Sequence, residues 1–339
     1  MTQSTLQEDA PMLAADATDL DCSTHSDQSA AVEVMLADGT WKSLQGLQVE
    51  ELQQLQWEQE QKFARAIKTC KPGSRERQMV TAQAYDTICT LLAALASLHN
   101  PQEGKRLLMG YDARYPKLVL QLLESQIARG FGRPQLFEIG YGSGALLEEV
   151  AGYGYRVGGL EVSQAMRDQA ADRLGPRHAP NLLLGSLRDL SKDQISGRPT
   201  LAYWNDVFEH IAEDEIDDYL RQIHSLLDPR GWLVTITPNW LLRPSDVTSI
   251  FCPPRTEACG LHLKEYRLAE VTRRLKRAGF RKVATPLLAL RSQFVVCGGG
   301  GRLMKQLSEP LIEKLPVKMA RLLCRGFAMS CTIAMKARS

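Results

Sequence analysis

The sequence predicts a doubly wound α/β fold, and two features of the chain support that prediction. After Arg133, short apolar strands alternate with helical segments, which is typical of a parallel sheet covered by helices on both faces. The first of these strands ends in a glycine-rich turn that leads directly into a helix, as at the ligand sites of such sheets. We therefore expect an α/β domain over residues 131–339.

The spacing of apolar runs places seven strands and four connecting helices in this domain. The strands are expected at residues 135–139, 155–161, 181–184, 201–204, 232–237, 281–288 and 331–336. The helices are expected at residues 145–151, 163–174, 213–227 and 268–278. Residues 291–329 form an insertion before the last strand. We expect the four glycines at 298–301 to be a flexible connection, because no strand–turn–helix context surrounds them.

The insertion also contains a basic segment with interleaved apolar residues. Its cations are Lys305, Lys314, Lys318, Arg321 and Arg325. Such a pattern is typical of a helix that packs on its own core with a solvated face, and also of a helix that rests on a membrane surface or binds an acidic acceptor. The first interpretation is favoured, because it is the commoner origin of the pattern.

Before the α/β domain, residues 31–130 predict a helical region. Apolar residues recur at three- and four-residue spacing from about Leu47, and Lys71-Pro72-Gly73 interrupts them. Ser74 is the expected N-cap of a second helix, and a third is expected over residues 116–127. By analogy with enzymes of this architecture, the region is expected to form a lid or substrate cap. Residues 1–30 are expected to be a disordered tail.

Composition excludes several classes of protein. The formal charge of +2 gives no field that favours nucleic acid or an anionic membrane. No apolar run of about 18 residues is present, so we expect no membrane-spanning segment. The N-terminus lacks the pattern of a signal peptide, and the eight cysteines include no C-x-x-C pair. We expect a cytoplasmic protein with reduced thiols, a small-molecule partner and no nucleic acid, which could form a homodimer.

The glycine-rich turn consists of Gly140, Gly142 and Gly144 at alternate positions. Glycine permits a tight turn and close approach of a ligand to the backbone, and the helix that follows offers free N–H groups. Glu161 comes 21 residues after Gly140, at the end of the next strand, where an acid accepts hydrogen bonds from ribose hydroxyls. The pattern fits an adenosine-bearing ligand, but it also satisfies the fingerprint of a dinucleotide site.

Glu138 discriminates between these two ligands. A carboxylate two positions before the first glycine repels a pyrophosphate, whereas it attracts the ammonium group of a methionine-like tail. The turn is therefore better suited to a nucleoside that carries an amino acid than to NAD.

Several motifs together resemble one known superfamily. They are E-I-G-Y-G-S-G at 138–144, G-L-E-V-S at 159–163, N-D-V-F-E-H-I at 205–211, D-P-R-G-W-L at 228–233 and T-P-N at 237–239. They resemble class I S-adenosylmethionine (SAM)-dependent methyltransferases. With the stretch at 260–280, the chain looks most similar to the small-molecule branch that includes quinone-biosynthesis O-methyltransferases. The resemblance covers about residues 131–288 and the final strand.

The resemblance implies a fold and a cofactor site. It implies a Rossmann-like sheet of seven strands in the order 3-2-1-4-5-7-6, with an antiparallel last strand, and SAM as the cofactor. It places Glu138 and Gly140 near the methionine part and Glu161 near the ribose. Many relatives carry an Asp for the adenine amine, where this chain offers Ser186. The expected cofactor residues are Glu138, Gly140, Tyr141, Gly142, Gly144, Glu161, Val162, Ser186, Asn205 and Asp206.

Three residues are candidates for the chemistry. Asp206 and His210 follow the fourth strand, at the edge of the sheet where ligands bind, and His262 follows the loop after the fifth strand. A histidine titrates near neutral pH and could act as a base, although both could instead brace their loops. Asp206, Glu209 and His210 could also hold a divalent ion, but three such close ligands are an incomplete site, so no metal site is predicted.

The sequence therefore predicts a SAM-dependent methyltransferase that acts on an oxygen or nitrogen nucleophile of a small metabolite. Two alternatives stay open. One is an NAD(P)-dependent oxidoreductase, which Glu138 disfavours. The other is a SAM-binding regulatory or scaffold protein without turnover, which an intact glycine turn does not exclude.

Overall fold

The computed structural model describes residues 32–99, 111–288 and 294–337. The predicted disordered tail at residues 1–30 lies outside the described residues. Residues 32–339 cluster as a single compact unit, in which an N-terminal helical pair packs against loops that follow strands of the central sheet.

The described residues form ten strands. They are β1 (Glu33–Met35), β2 (Trp41–Ser43), β3 (Gln135–Ile139), β4 (Arg156–Glu161), β5 (Leu182–Leu184), β6 (Leu201–Asn205), β7 (Trp232–Ile236), β8 (Lys282–Leu288), β9 (Phe294–Cys297) and β10 (Cys331–Met335). Strands β1 and β2 pair as a separate antiparallel hairpin. The other eight form one sheet in the order β5-β4-β3-β6-β7-β10-β8-β9.

The predicted topology of the sheet is confirmed, and one strand is added to it. All seven predicted strands are present in the expected order, and β10 runs antiparallel to both of its neighbours. The count of seven is wrong because β9 continues the sheet beyond β8. This strand lies in the predicted insertion, where four residues gave too short an apolar run to be recognised. It pairs antiparallel with β8, so that Pro286 faces Val296.

Ten α-helices connect and cover the strands among the described residues. They are α1 (Val49–Thr69), α2 (Arg75–His99), α3 (Pro116–Ala128), α4 (Ala145–Gly152), α5 (Gln164–Leu174), α6 (Ile216–Leu226), α7 (Thr248–Phe251), α8 (Leu268–Arg277), α9 (Gly299–Glu313) and α10 (Val317–Gly326).

The prediction of a flexible connection at 298–301 is wrong, because these glycines begin α9. The N–H of Arg302 donates to the carbonyl oxygen of Gly298. Packing of the amphipathic segment that follows outweighs the low helix propensity of glycine.

Side chains that alternate along the strands fill a hydrophobic core on each face of the sheet. Leu136 belongs to the core beneath α3 and α4, whereas the next residue, Phe137, belongs to the core beneath α6 and α8. This period of two follows from the pleat of a strand. Burial on both faces explains why these strands read as continuous apolar runs in the sequence.

The N-terminal region contains the β1–β2 hairpin in addition to the expected helices. The break between α1 and α2 falls at the predicted position, and the hydroxyl oxygen of Ser74 accepts a hydrogen bond from the N–H of Arg77. Apolar side chains of the hairpin, α1 and α2 form a third core, which also contains Leu261 and Leu263. The N-terminal region therefore shares its core with the loop before α8.

Helix α2 is more apolar than the expectation of no membrane-spanning segment suggests. The stretch Arg75–Leu98 of α2 is long and apolar enough to cross a bilayer by length and composition alone, and an 18-residue window within it has a mean hydropathy of 1.3. A third of it is buried within the protein. Its residues Ala84, Ile88 and Leu91 pack in the third core. The apolar character of α2 is therefore used at least in part inside the fold.

Strands β3 and β4 approach each other closely at Gly159. A Cβ atom added there would lie 2.5 Å from the carbonyl oxygen of Glu138 and 2.6 Å from Cδ1 of Tyr141. We expect Gly159→Ala to lower the free energy of unfolding by about 1–3 kcal/mol, because the backbone must move to admit the methyl group. Urea denaturation measures this change.

Gly132→Ala is the matched control for this variant. Gly132 is exposed, and a Cβ atom there meets nothing within 4 Å. Its free energy of unfolding should stay within about 1 kcal/mol of the parent value. Equal destabilisation by both variants would show that loss of glycine, and not the close approach of the strands, is responsible.

Candidate active site

The glycine-rich turn joins β3 to α4 through three residues in the left-handed region. Gly140, Gly142 and Gly144 have φ values of 69°, 51° and 75°. A Cβ atom at Gly140 would lie 2.5 Å from Cγ2 of Val207, which follows β6. The turn therefore packs directly against the end of a neighbouring strand, and only glycine combines this conformation with this contact.

Glu161 fixes the turn from the end of β4. Its Oε2 accepts a hydrogen bond of 2.9 Å from the N–H of Gly142, and its Oε1 accepts bonds of 2.8 Å and 3.1 Å from the N–H groups of Val162 and Ser163. Burial raises the pKa of Glu161, while these three bonds act in the opposite direction. The side chain also lines the cavity described below, so it is accessible to a ligand.

Glu138 lies behind the turn. It is buried at 4% exposure, and its Oε2 has no hydrogen-bond partner among the described residues. Burial, followed by the nearby charge of Glu161, raises the pKa of Glu138 well above its usual value. Tyr141 is also buried, and its hydroxyl donates to the carbonyl oxygen of Leu183. Neither of these two side chains lines the cavity that Glu161 lines.

A cavity of about 380 Å³ lies over the carboxyl ends of the parallel strands. The strand side of its wall comes from the glycine turn and from the residues after β4 and β6. The opposite side comes from α1 and α2, through residues that include Gln56, Glu60, Ile67, Tyr85, Cys89 and Leu92. The two N-terminal helices therefore complete the enclosure of the cavity.

His210 enters the cavity from a 3-10 turn after β6. Its Nδ1 lies 2.9 Å from the carbonyl oxygen of Leu261, which can only accept, so Nδ1 carries the proton and donates. Its unprotonated Nε2 lies 4.0 Å from Oδ1 of Asp206. Burial, followed by the charge of His262, lowers the pKa of His210 to about 4. At neutral pH the Nε2 lone pair is therefore free to act as a base or a ligand.

His262 lies beside His210, in the loop before α8. Its Nε2 is 3.8 Å from Oδ1 of Asp206 and 4.0 Å from Oε1 of Glu209, and its Nδ1 is 3.3 Å from Oε1 of Glu265. Burial opposes protonation, but the interactions with Asp206 and Glu265 outweigh it and raise the pKa of His262 well above its usual value. In the protein without ligands this ring is therefore a cation among carboxylates.

Asp206 connects the two histidines. It is a non-glycine residue with a φ of 58°, a conformation that costs energy and that is common at functional sites. Half of its side chain is exposed, but the space that it faces is the cavity rather than open solvent. Burial in the cavity wall would raise its pKa, whereas the interactions with His262 and His210 lower the pKa well below its usual range. Asp206 is therefore ionised.

The four side chains Asp206, Glu209, His210 and His262 have the geometry of a cation site. Their ligand atoms lie within 4.8 Å of one another. The separations of 3.8–4.0 Å are longer than hydrogen bonds, and they approach the ~3.4 Å between two ligands held about 2.1 Å from one tetrahedral ion. Glu209 is fully buried, and neither of its carboxylate oxygens has a hydrogen-bond partner in the described part of the chain.

The surroundings of the two rings agree with this geometry. Each histidine directs Nε2 into the cluster, while its Nδ1 contacts an oxygen of Leu261 or Glu265. Metal-binding histidines are oriented in this way by backbone carbonyls and carboxylates. Burial, followed by the charge of Asp206, raises the pKa of Glu209 well above its usual value. A divalent cation fits this donor set, in competition with the ring proton of His262.

Leu261 connects the histidines to the N-terminal helices through its backbone. Its carbonyl oxygen accepts from His210, and its N–H donates to Oε2 of Glu60 on α1 at 2.9 Å. The preceding N–H, of Gly260, donates to Oδ2 of Asp246 at 3.0 Å. A Cβ atom at Gly260 would lie 2.3 Å from Oε2 of Glu60 and 2.6 Å from Oδ2 of Asp246, so a side chain there would displace these two carboxylates. Glu60 thus positions His210 through the backbone of a single residue, Leu261.

Most of the residues predicted for the site are brought together. Of the predicted cofactor residues, those that line the cavity are Gly140, Gly142, Glu161, Val162, Ser186, Asn205 and Asp206. Glu138, Tyr141 and Gly144 lie outside its lining. The three predicted catalytic residues, Asp206, His210 and His262, also line it and contact one another.

Sequence reasoning missed the contributions of the N-terminal helices and of Glu265. Glu60, Tyr85 and Cys89 line the cavity or hold its wall, but no local motif marks them, because their role depends on the packing of α1 and α2. Glu265 follows His262 by three residues, but the segment is not helical, so no helical spacing marks this contact either.

The sheet order, the glycine turn and the acid after β4 together define a class I SAM-dependent methyltransferase. Residues 109–285 match the family described as "Methyltransferase domain". The match covers just over half of the chain, and the protein belongs to this family. Its cofactor is SAM, as the family assignment indicates. Two methyltransferase structures that overlap with the chain at low identity contain SAM or its product S-adenosylhomocysteine (SAH).

One relative is similar to the chain over part of its length. An uncharacterized methyltransferase of Oceanobacillus iheyensis is 29% identical over 134 residues, and the match covers 37% of this chain and 57% of the relative. The chain thus spans little more than half of that relative's length.

Two solved structures overlap with the chain at low identity. A SAM-dependent methyltransferase from Archaeoglobus fulgidus is 16% identical, with 70% of this chain and 99% of that chain covered and a TM-score of 0.40. Magnesium protoporphyrin IX methyltransferase from Synechocystis PCC 6803 is 19% identical, with 53% and 80% covered and a TM-score of 0.39. The family assignment rests on the domain match and not on these overlaps.

The pKa of Glu138 predicts how pH affects stability. Because the folded-state pKa is raised, the neutral acid is the form that the fold accommodates, and its contribution to stability is lost as pH rises through that pKa. We expect Glu138→Gln, which is neutral at every pH, to lose less stability than the parent between about pH 5 and about pH 8. Urea denaturation of the ligand-free protein at both pH values measures this.

Glu124→Gln, at an exposed position on α3, is the control for the loss of one carboxyl group. It should follow the parent at both pH values. An equal pH dependence of parent and Glu138→Gln would contradict the assignment of a neutral, buried Glu138.

Proposed function

We propose that this protein transfers the methyl group of SAM to an oxygen or nitrogen nucleophile of a small-molecule metabolite. The observation that supports this proposal is that one cavity joins the glycine turn and Glu161 to the cluster of Asp206, His210 and His262. Methyl transfer from a sulfonium is an in-line displacement, so the cofactor and the nucleophile must lie in one desolvated space.

In this proposal the end of the cavity at β3 and β4 holds the cofactor. An ionised carboxylate has about four acceptor sites, and Glu161 uses three of them for backbone N–H groups. The remaining acceptor site of the carboxylate would accept hydrogen bonds from the ribose hydroxyls. Gly140 and Gly142 allow the methionine part to approach the backbone, and Ser186 lies where the adenine would extend.

The acceptor would lie between the histidines and the N-terminal helices. Apolar side chains predominate on that side, and they include Ile67, Ile88 and Leu92. The ring of Tyr85 lies edge-on to His210, with 5.7 Å between ring centroids. An acceptor with a largely apolar body and a single hydroxyl or amine group fits such walls, because each apolar group gains by leaving water.

The cluster would activate the nucleophile. We propose that Asp206, Glu209, His210 and His262 hold a divalent cation, and that Glu265 and the Leu261 carbonyl orient the two rings. A divalent ion bound there supplies charge that lowers the pKa of a hydroxyl group next to it. Without an ion, Nε2 of His210 is a base in the cavity lining that is neutral at physiological pH.

Family membership removes the NAD(P)-dependent oxidoreductase from the alternatives. A SAM-binding protein without turnover remains as an alternative. Such a protein would bind the cofactor normally and transfer no methyl group to any acceptor.

The cofactor site is tested by calorimetric titration with SAH, with NAD as the parallel control. We expect micromolar binding of SAH and none of NAD. Gly142→Asp should weaken SAH binding by at least about tenfold, because the new carboxylate enters the cavity beside Glu161. Gly154→Asp is the matched control, because Gly154 has a positive φ of 82° but lies outside the cavity lining. Binding of NAD alone would overturn the proposal.

The cation is tested by chelation. We expect dialysis against a chelator to abolish transfer of radiolabel from SAM to acceptors in a cell extract, and a divalent ion to restore it. Glu209→Gln should lower the content of bound metal and the transfer together, whereas Glu213→Gln, an exposed acid outside the cavity lining, should change neither. Full activity after chelation, combined with loss of activity in His210→Ala, would instead identify His210 as a general base.

A further inference from the structure

The last three helices form a surface that is separate from the cavity. Every residue that lines the cavity precedes α8 in the chain. The buried apolar residues of α9 and α10, which are Ile312, Ala320 and Cys324, share a fourth hydrophobic core with Leu241 and Met329. The opposite faces of α9 and α10 therefore both point away from this core.

These outward faces carry large apolar side chains. On α9 they are Leu303, Met304, Leu307 and Leu311, which are 52–70% exposed and recur at three- and four-residue spacing. On α10, Met319 is 53% exposed and Leu322 is 72% exposed. A stripe with this spacing covers one side of a helix. The packing of the two helices thus leaves an apolar stripe on each of them in contact with water.

Cations surround the two stripes. An open groove between α8 and α9 is lined by Arg273, Lys276, Arg277 and Arg302. Lys314 follows α9, and α10 carries Lys318, Arg321 and Arg325. None of these eight cations takes part in an ion pair within the described ranges.

The acidic groups of α8 and α9 do not neutralise these cations. Glu270 pairs with Lys264, and Glu313 pairs with Arg243 and Arg267. Glu309 is buried and accepts from the N–H of Leu268. The outward side of α8–α10 therefore has a positive charge that the near-neutral net charge of the chain conceals.

We propose that this α8–α10 surface docks the protein on an anionic lipid bilayer. Leu and Met side chains next to Lys and Arg match the boundary between acyl chains and anionic headgroups, where apolar groups insert and cations remain at the headgroup level. The groove between α8 and α9 supplies further cations at the border of the α9 stripe. The helices lie on the surface and do not span it.

The docking surface is tested by sedimentation with vesicles of phosphatidylcholine, with and without phosphatidylglycerol. We expect binding only to the vesicles that contain phosphatidylglycerol, weakening as salt is raised. The variant Arg273→Gln/Lys276→Gln/Arg277→Gln should lower the partition coefficient by at least about tenfold, because each cation near an anionic surface contributes roughly a factor of five. Leu303→Gln/Leu307→Gln/Leu311→Gln, which retains helix propensity, should lower it by a similar factor.

Lys62→Gln/Arg65→Gln/Arg75→Gln is the matched control. It removes three exposed cations from α1 and α2 and should bind vesicles as the parent does. All variants should bind SAH like the parent, which separates this proposal from the proposed function. Failure of the parent protein to bind anionic vesicles would overturn the docking proposal. An equal loss of vesicle binding in the control variant would also overturn it. Conversion of a dimer into a monomer by the leucine variant, with vesicle binding unchanged, would identify a dimer contact instead.

Discussion

The cofactor end of the cavity depends on the carboxylate of Glu161. A buried carboxylate is tolerated only where it has partners, and Glu161 has three backbone N–H groups from two separate segments. The bond from Gly142 ties the glycine turn to the end of β4. The position of the turn then decides where α4 begins and where Val207 packs against Gly140. One side chain thus relates β3, β4 and the segment after β6 to one another.

Much of the sheet could be predicted from the sequence because both of its faces are buried. Such strands appear as apolar runs, and glycine or proline marks many of their ends. Strand β9 and the β1–β2 hairpin were missed for a common reason. Each strand has only three or four residues, and its pairing depends on a neighbour rather than on its own pattern. The glycines at the start of α9 led to a wrong prediction for the opposite reason, since tertiary packing outweighed a strong local signal for a flexible connection.

The candidate site divides in a similar way. Residues at the ends of β4 and β6 were open to prediction, because parallel strands bring their carboxyl ends to one edge of the sheet. The role of Glu138 was assigned from charge alone, and the structure shows how deeply the side chain is buried. The convergence of His262 with Glu209 and His210 depends on a loop more than 50 residues away in sequence. No periodicity in the sequence predicts such a contact. The hydrogen bond between Glu60 and Leu261 is equally invisible in the sequence.

The wall formed by α1 and α2 has a consequence for the order of folding. Two contacts that close this wall join very distant parts of the chain. The bond between Glu60 and Leu261 spans 201 residues, and the bond between Gly73 and Glu215 spans 142. Contacts of high sequence separation carry a large loop-closure entropy, whereas neighbouring strands such as β3 and β4 pair at much lower entropic cost. A sheet with a formed glycine turn but an open cavity is therefore the expected last stage before the native state.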